Sequence, residues 1–405
     1  MSRLFGVALG GKEVKRISVP ATPPAQTIYY GCPGTGKSHE VKRIAEGLDG
    51  EKLIWYQKPT AEDKSCPKVE NPDDEQKKSL TNNVFRTTFH PDYDYATFVG
   101  CYKPVKEGGN LDYRFIPQVF TNAYVAAYRH PEDPVYLIIE EINRGNCAQI
   151  FGDLFQLLDR RNGVSEYPIR PDTELAKYLA AEDVPAEEIR LPANLHIYAT
   201  MNTSDQSLFP MDSAFKRRWA MEYMPINYSC GKASKFQITI GDKDKGTDET
   251  YPWIGFLQMV NEMILDATDS EDKQMGEFFI KSDIDEKEFV NKVMFFIWND
   301  VCKDLYTARR PTGKFFMRLE DEKEYFTFAD LFDRHKNKDS KLLKGFIRHL
   351  ENKFVETHKT AIKGENGHID WDKYMADESA DSEPASAAEP APASEAATSS
   401  ELETK

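Results

Sequence analysis

The segment Gly31-Cys32-Pro33-Gly34-Thr35-Gly36-Lys37-Ser38 has the spacing Gly-x4-Gly-Lys-Ser, and its residue types suit a phosphate chain. Its glycines permit a tight turn and close approach of backbone to phosphate. Successive N–H groups then point into one concavity, and the helix that follows offers its N-terminus. Lys37 would reach the terminal phosphates, and the Ser38 hydroxyl would ligate Mg²⁺. Pro33 donates no N–H, so the cradle is built mainly from Gly34 onward. A second group lies at Glu140-Glu141, directly after the apolar run Val135-Tyr136-Leu137-Ile138-Ile139. One carboxylate can hold Mg²⁺, directly or through water, while the other orients or activates the attacking water. Taken singly, these are a glycine-rich turn and an acidic turn at a strand end. Together they point to binding and hydrolysis of a nucleoside triphosphate, ATP or GTP, with Mg²⁺.

The surrounding pattern supplies elements that could position both groups. Thr27-Ile28-Tyr29-Tyr30 reads as a strand running into the glycine loop, and His39 to Leu48 is compatible with a helix. Val84-Phe85-Arg86-Thr87-Thr88-Phe89, Val135–Ile139 and Leu195-His196-Ile197-Tyr198-Ala199-Thr200 are further strand candidates. Ile150, Phe151, Leu154, Leu157 and Leu158 repeat at helical spacing, with Asn162-Gly163 as the stop. Pro59 to Asn83 reads as a polar surface insertion, and Gly163 to Pro192 as a hairpin or helical one. Strands alternating with helices predict an α/β domain with a parallel sheet flanked by helices. In such sheets ligands sit at the C-terminal strand ends, which places Glu140 and Glu141 beside the loop.

Residues 1–25 read as a leader and 26–226 as the α/β nucleotide-binding domain. Residues 227–375 have helical repeats around Phe256, Val293 and Phe346 and read as a smaller, mostly helical lid domain. Residues 376–405, rich in Ala, Ser, Pro and Glu, read as a disordered acidic tail. That tail holds eight acidic residues and one basic, so it carries −7 of the net charge of −15. The remaining body is also acidic, so any DNA contact is expected to be indirect or through a partner. No apolar run reaches the roughly 18 residues of a membrane span. The six cysteines are scattered without a Cys-x-x-Cys pair, which argues against a zinc site or a disulfide framework. The chain reads as cytoplasmic.

Several segments together resemble the McrB family, the AAA+ motors of methylation-dependent restriction systems. They are Glu140-Glu141-Ile142-Asn143-Arg144-Gly145-Asn146, Ala199-Thr200-Met201-Asn202-Thr203-Ser204-Asp205 and Met211-Asp212-Ser213-Ala214-Phe215-Lys216-Arg217-Arg218-Trp219. Thr88-Phe89-His90-Pro91, with Tyr93, Tyr95 and Phe98, and the weaker Gln274-Met275-Gly276-Glu277-Phe278-Phe279 add to the match. The resemblance covers about Thr27 to Val301. It implies that Glu140 takes the Walker B metal position and Glu141 the catalytic glutamate position. It places Asn202 at sensor 1, orienting the attacking water, and Arg217 and Arg218 at arginine fingers that reach a neighbouring subunit's nucleotide. It further implies a homo-oligomeric ring, by analogy a hexamer, and a McrC-like nuclease partner.

Other readings stand beside these. Arg217 and Arg218 also suit a solvated pair at a helix end. The aromatic set near His90 suits core packing better than ligand contact. A MoxR-like remodelling ATPase and a nucleotide-gated scaffold with slow hydrolysis are the alternative functions. The chain departs from the family pattern in carrying Glu140 where Asp is usual. The longer side chain shifts the carboxylate against an ion that demands near-ideal geometry. No clear sensor 2 arginine is visible, Lys273 being a poor candidate. Only about 25 residues precede the first strand, so no N-terminal DNA-reading domain is expected.

Overall fold

Apolar, β-branched and aromatic runs form a five-stranded parallel sheet in a computed structural model. It describes residues 25–60, 63–107, 110–204, 209–302, 317–318, 321–364 and 367–380. The strands are β1 (Gln26–Gly31), β2 (Val84–Thr88), β3 (Val135–Glu140), β4 (Leu195–Asn202) and β5 (Ala220–Tyr223). Their spatial order is β5-β1-β4-β3-β2. The register sets Gly31 opposite Asn202, Ala199 opposite Ile139, and Thr88 opposite Glu140. The C-terminal ends of four strands therefore line up, which is where an α/β sheet presents its chemistry.

Helix α1 (Lys37–Ala45) follows the glycine loop directly. Its Val41 and Ala45 pack with Tyr29, Ile138 and Tyr198 on one face of the sheet. Helix α2 (Val119–Arg129) covers the other face, burying Phe120, Ala123, Tyr124 and Ala127 against Leu137, Ile139 and Ile197. Strands covered on both faces explain the continuous apolar runs.

Three local features differ from the sequence reading. The apolar repeat Ile150–Leu158 is split: an α-helix over Cys147–Phe151 gives way to a 3-10 turn over Gly152–Leu158. Gly152 sits there at φ 50. Asn162-Gly163, at φ 53 and 81, is the turn of a two-residue hairpin joining Arg160–Arg161 to Val164–Ser165, not a helix stop. A long antiparallel hairpin, Gly100–Glu107 with Asn110–Pro117, stands between β2 and α2. Leu111-Asp112-Tyr113-Arg114-Phe115 alternates apolar and polar, a strand signal that the sequence reading did not use.

From Ala233 onward a separate core forms. It opens with a small sheet in which Gln237–Ile240 lies between Glu249–Pro252 and Ile284–Asp285. Helix α3 (Trp253–Thr268) is buried nearly all round. A second helix begins at Glu286 and widens into π-type turns over Phe289–Met294 and Ile297–Cys302. Helices α4 (Lys341–Thr357) and α5 (Trp371–Ala380) complete it. Gly255 of α3 leaves room for the Trp371 ring, since a Cβ there would lie 2.3 Å from it. Helix α5 runs to Ala380, into the stretch read as tail. Residues 1–24 of the leader and 381–405 of the tail lie outside the described residues. No described helix is long and apolar enough to cross a membrane.

Candidate nucleotide-binding site

The glycine loop leaves β1 at Gly31 and enters α1 at Lys37. Gly34 and Gly36 have φ of 88 and 82, left-handed geometry that favours glycine. No side chain caps α1 among the described residues, so its first N–H groups face the loop. Thr35 is fully buried and its Oγ1 donates to Cys32 O at 3.2 Å, tightening the turn. Lys37 is 7% exposed, and its Nζ donates to Gly31 O at 3.1 Å and to Cys32 O at 2.7 Å. Burial pushes the Cys32 thiol up to about 12 against the opposing pull of Lys37. The thiol therefore stays protonated and neutral inside the loop.

Glu140 ends β3, and its Oε2 accepts from Ser38 Oγ at 2.8 Å and from Thr200 Oγ1 at 2.6 Å. The next residue, Glu141, takes left-handed φ of 55, an uncommon conformation for a non-glycine residue. The kink turns its carboxylate to Asn202, whose Nδ2 donates to Oε1 at 2.9 Å and to Oε2 at 3.1 Å. Arg144 approaches the same carboxylate, Nε to Oε2, at 3.4 Å. Asn143 is buried and its Nδ2 donates to Asn202 O at 2.7 Å, fixing the end of β4. Loop, Glu140, Glu141 and Asn202 thus meet at one sheet edge. Asp205 lies outside the described residues.

The two arginines part company. Arg218 is turned inward: its side chain is 10% exposed, its Nη2 lies 2.6 Å from Asp159 Oδ2, and its guanidinium is 4.0 Å from the Phe155 ring centre. Arg217, at the end of the Ser213–Lys216 helix, is exposed. Phe89, Tyr93 and Phe98 are buried in the sheet core, while His90 is exposed. The segment Gln274–Phe279 docks on the outside of the loop. Gly276 N donates to Pro33 O and Phe278 N to Gly34 O, both at 2.8 Å. A Cβ on Gly276 would lie 2.3 Å from Gly34 C and 2.4 Å from Thr35 N, both backbone atoms. Gly276→Val is therefore expected to cost about 1–3 kcal/mol of stability, read by thermal denaturation. A variant as stable as the parent would contradict the close docking.

Mg²⁺ is implied by this arrangement, and the residues present fit it. Ser38 and Glu140 bring hard oxygen donors together at the mouth of the loop. No group of three or more His, Cys, Asp or Glu able to hold a metal occurs among the described residues. Mg²⁺ takes one or two protein ligands and fills its shell with water and phosphate oxygens, so Ser38 and Glu140 would be enough to hold it. The sequence reading missed Thr200 and Arg86 as contacts of Glu140. Thr200 could have been found from its position two residues before Asn202, on the same strand face.

A family model described as AAA domain (dynein-related subfamily) matches residues 75–219. The chain is 32% identical over 350 residues to a Bacillus subtilis (strain 168) protein, "Type II restriction enzyme BsuMI component YdiS". That alignment takes in 80% of this chain and 90% of the relative. The chain belongs to the McrB-like AAA+ family. A second McrB-like relative is the "Type IV methyl-directed restriction enzyme EcoKMcrB subunit" of Escherichia coli (strain K12). It is 26% identical over 193 residues, 48% of this chain and 34% of that protein. Among solved structures, a putative ATPase from Cytophaga hutchinsonii matches with TM-score 0.28 and 11% identity, covering 66% of this chain and 55% of that one. A complex of magnesium chelatase subunits BchI and BchD matches with TM-score 0.27 and 16% identity, covering 50% and 54%.

Proposed function

We propose that this McrB-like protein is the motor subunit of a restriction or defence system. It binds and hydrolyses ATP or GTP with Mg²⁺, assembles as a homo-oligomeric ring of six, and drives a McrC-like nuclease partner in the cytoplasm. The observation that carries the hydrolytic reading is the Asn202–Glu141 contact at 2.9 Å beside the Ser38–Glu140 contact at 2.8 Å. Both relatives are named as restriction-enzyme components, which supports the biological setting.

Each residue has a physical task. Gly31, Cys32, Pro33, Gly34, Thr35 and Gly36 shape the cradle, and N–H groups from Gly34 onward hold phosphate oxygens. Lys37 neutralises the terminal phosphates, and Ser38 with Glu140 holds the ion. Bound Mg²⁺ supplies charge neutralisation on the phosphate oxygens. Glu141 accepts a proton from the attacking water, and Asn202 fixes the direction of that carboxylate. A guanidinium entering from a neighbouring subunit stabilises charge developing on the transferred group, and it makes turnover depend on assembly.

Of the fingers Arg217 and Arg218, the exposed Arg217 is the one able to reach a neighbour without breaking an internal ion pair. Arg217→Ala is expected to lower turnover by about 10³-fold or more with unchanged thermal stability. Arg218→Ala is expected to lower the melting temperature through loss of its Asp159 and Phe155 contacts. Activity and denaturation measured side by side check both. A fully active monomer would overturn the finger role. Turnover of ATP against GTP, with and without DNA and a candidate nuclease subunit, tests the wider reading. Stimulation by neither would remove the restriction role.

A further inference from the structure

Glu140 is held from three sides. One oxygen takes the Ser38 and Thr200 hydroxyls. The other, Oε1, pairs with the Arg86 guanidinium. The second arm of that guanidinium reaches Glu46 Oε1 at 2.7 Å. Arg86 stands opposite Ile138 and Thr88 opposite Glu140, so Arg86 is diagonal to Glu140. Residues two apart on a strand share a face, and here it is the face that α1 covers. Glu46 is the C-terminal cap of α1. One guanidinium therefore ties the end of the loop helix to β2 and to the carboxylate beside Ser38. An aspartate at 140 would withdraw its carboxylate by about one carbon–carbon bond from Arg86. The longer glutamate fits a carboxylate that serves a hydroxyl pair and a guanidinium at once.

Resting on the nucleotide site proposed above, we infer that Arg86 is a positioning residue that competes with the divalent ion for Glu140, and that Glu46 restrains it. A guanidinium neutralises the charge that draws a cation to Ser38, and it repels the cation directly. Glu46 pulls the same guanidinium the other way. Two substitutions at neighbouring positions should therefore move metal dependence in opposite directions. Arg86→Gln frees Glu140 and lowers the Mg²⁺ concentration needed for nucleotide binding. Glu46→Gln leaves Arg86 to Glu140 alone and raises it. Each shift should be about twofold to fivefold, the size of one partly solvated charge pair.

The test is a titration of MgCl₂ against binding of fluorescent ATP and GTP analogues, with thermal denaturation of each variant. Opposite shifts of the Mg²⁺ midpoint are expected. A purely structural ion pair would lower melting temperature and leave both midpoints where they were, which overturns the inference. Shifts in the same direction overturn it too. If Arg86→Gln does not fold, the Glu46→Gln arm decides by the sign of its shift. A parent protein that binds neither analogue at any Mg²⁺ concentration would instead sink the nucleotide reading itself.

Discussion

Lys37→Ala is expected to weaken nucleotide binding by about a hundredfold or more, the scale for removing a buried charge from a phosphate partner. Lys37 is the first residue of α1 and is 7% exposed, so its ammonium is held inside the loop and not offered to solvent. Its two carbonyl partners, Gly31 O and Cys32 O, lie at 3.1 Å and 2.7 Å. They keep the ammonium within the concavity that the loop N–H groups face. Alanine retains helix propensity at this position, so α1 should form as before. The loss is then one of charge and donors, not of fold. Equilibrium binding of labelled ATP and GTP, beside a denaturation curve, separates the two. Undiminished binding by a folded Lys37→Ala protein would refute the phosphate assignment.

Glu141→Gln is expected to leave binding in place and lower turnover by about 10²- to 10⁴-fold, the usual contribution of a positioned general base. The side chains have the same shape, and a glutamine oxygen can still accept from Asn202 Nδ2. What disappears is the basicity of the carboxylate and its attraction for Arg144, 3.4 Å away. Phosphate binding is assigned to the loop N–H groups, Lys37 and Ser38, so it should be insensitive to a substitution of the same shape at Glu141. The left-handed φ of 55 at this residue costs of order 1–3 kcal/mol in general. Strain of that kind persists where surrounding structure holds it, and here β3, Asn143 and Asn202 do so. A Glu141→Gln protein with unchanged affinity and turnover lowered by about 10²- to 10⁴-fold is the expected phenotype.

Much of this site was legible because its chemistry is local in sequence. Eight consecutive residues make the loop, and Glu140 and Glu141 end one apolar strand. Asn202 ends another, and parallel pairing of β1, β4 and β3 carries all of them to the same edge. What escaped depends on register and on distant segments. Arg86 reads as one polar residue in a strand, and only the β2–β3 register brings it to Glu140. Arg218 looks equivalent to Arg217 until Asp159 and Phe155 are seen beside it. Gly276 is a glycine in a weak motif until its backbone is found against Gly34. Asn162-Gly163 shows the converse: a strong local turn signal read as a helix stop closes a two-residue hairpin instead.

The proposed hydrolysis requires that the Gly31–Ser38 loop and Glu141 act as one site. Single-turnover hydrolysis of ATP and GTP at saturating protein, comparing the parent with Glu141→Gln, tests it most directly. The parent should convert bound nucleotide to diphosphate and phosphate, while the variant retains it intact over the same interval. Equal single-turnover rates in the two proteins would contradict the account.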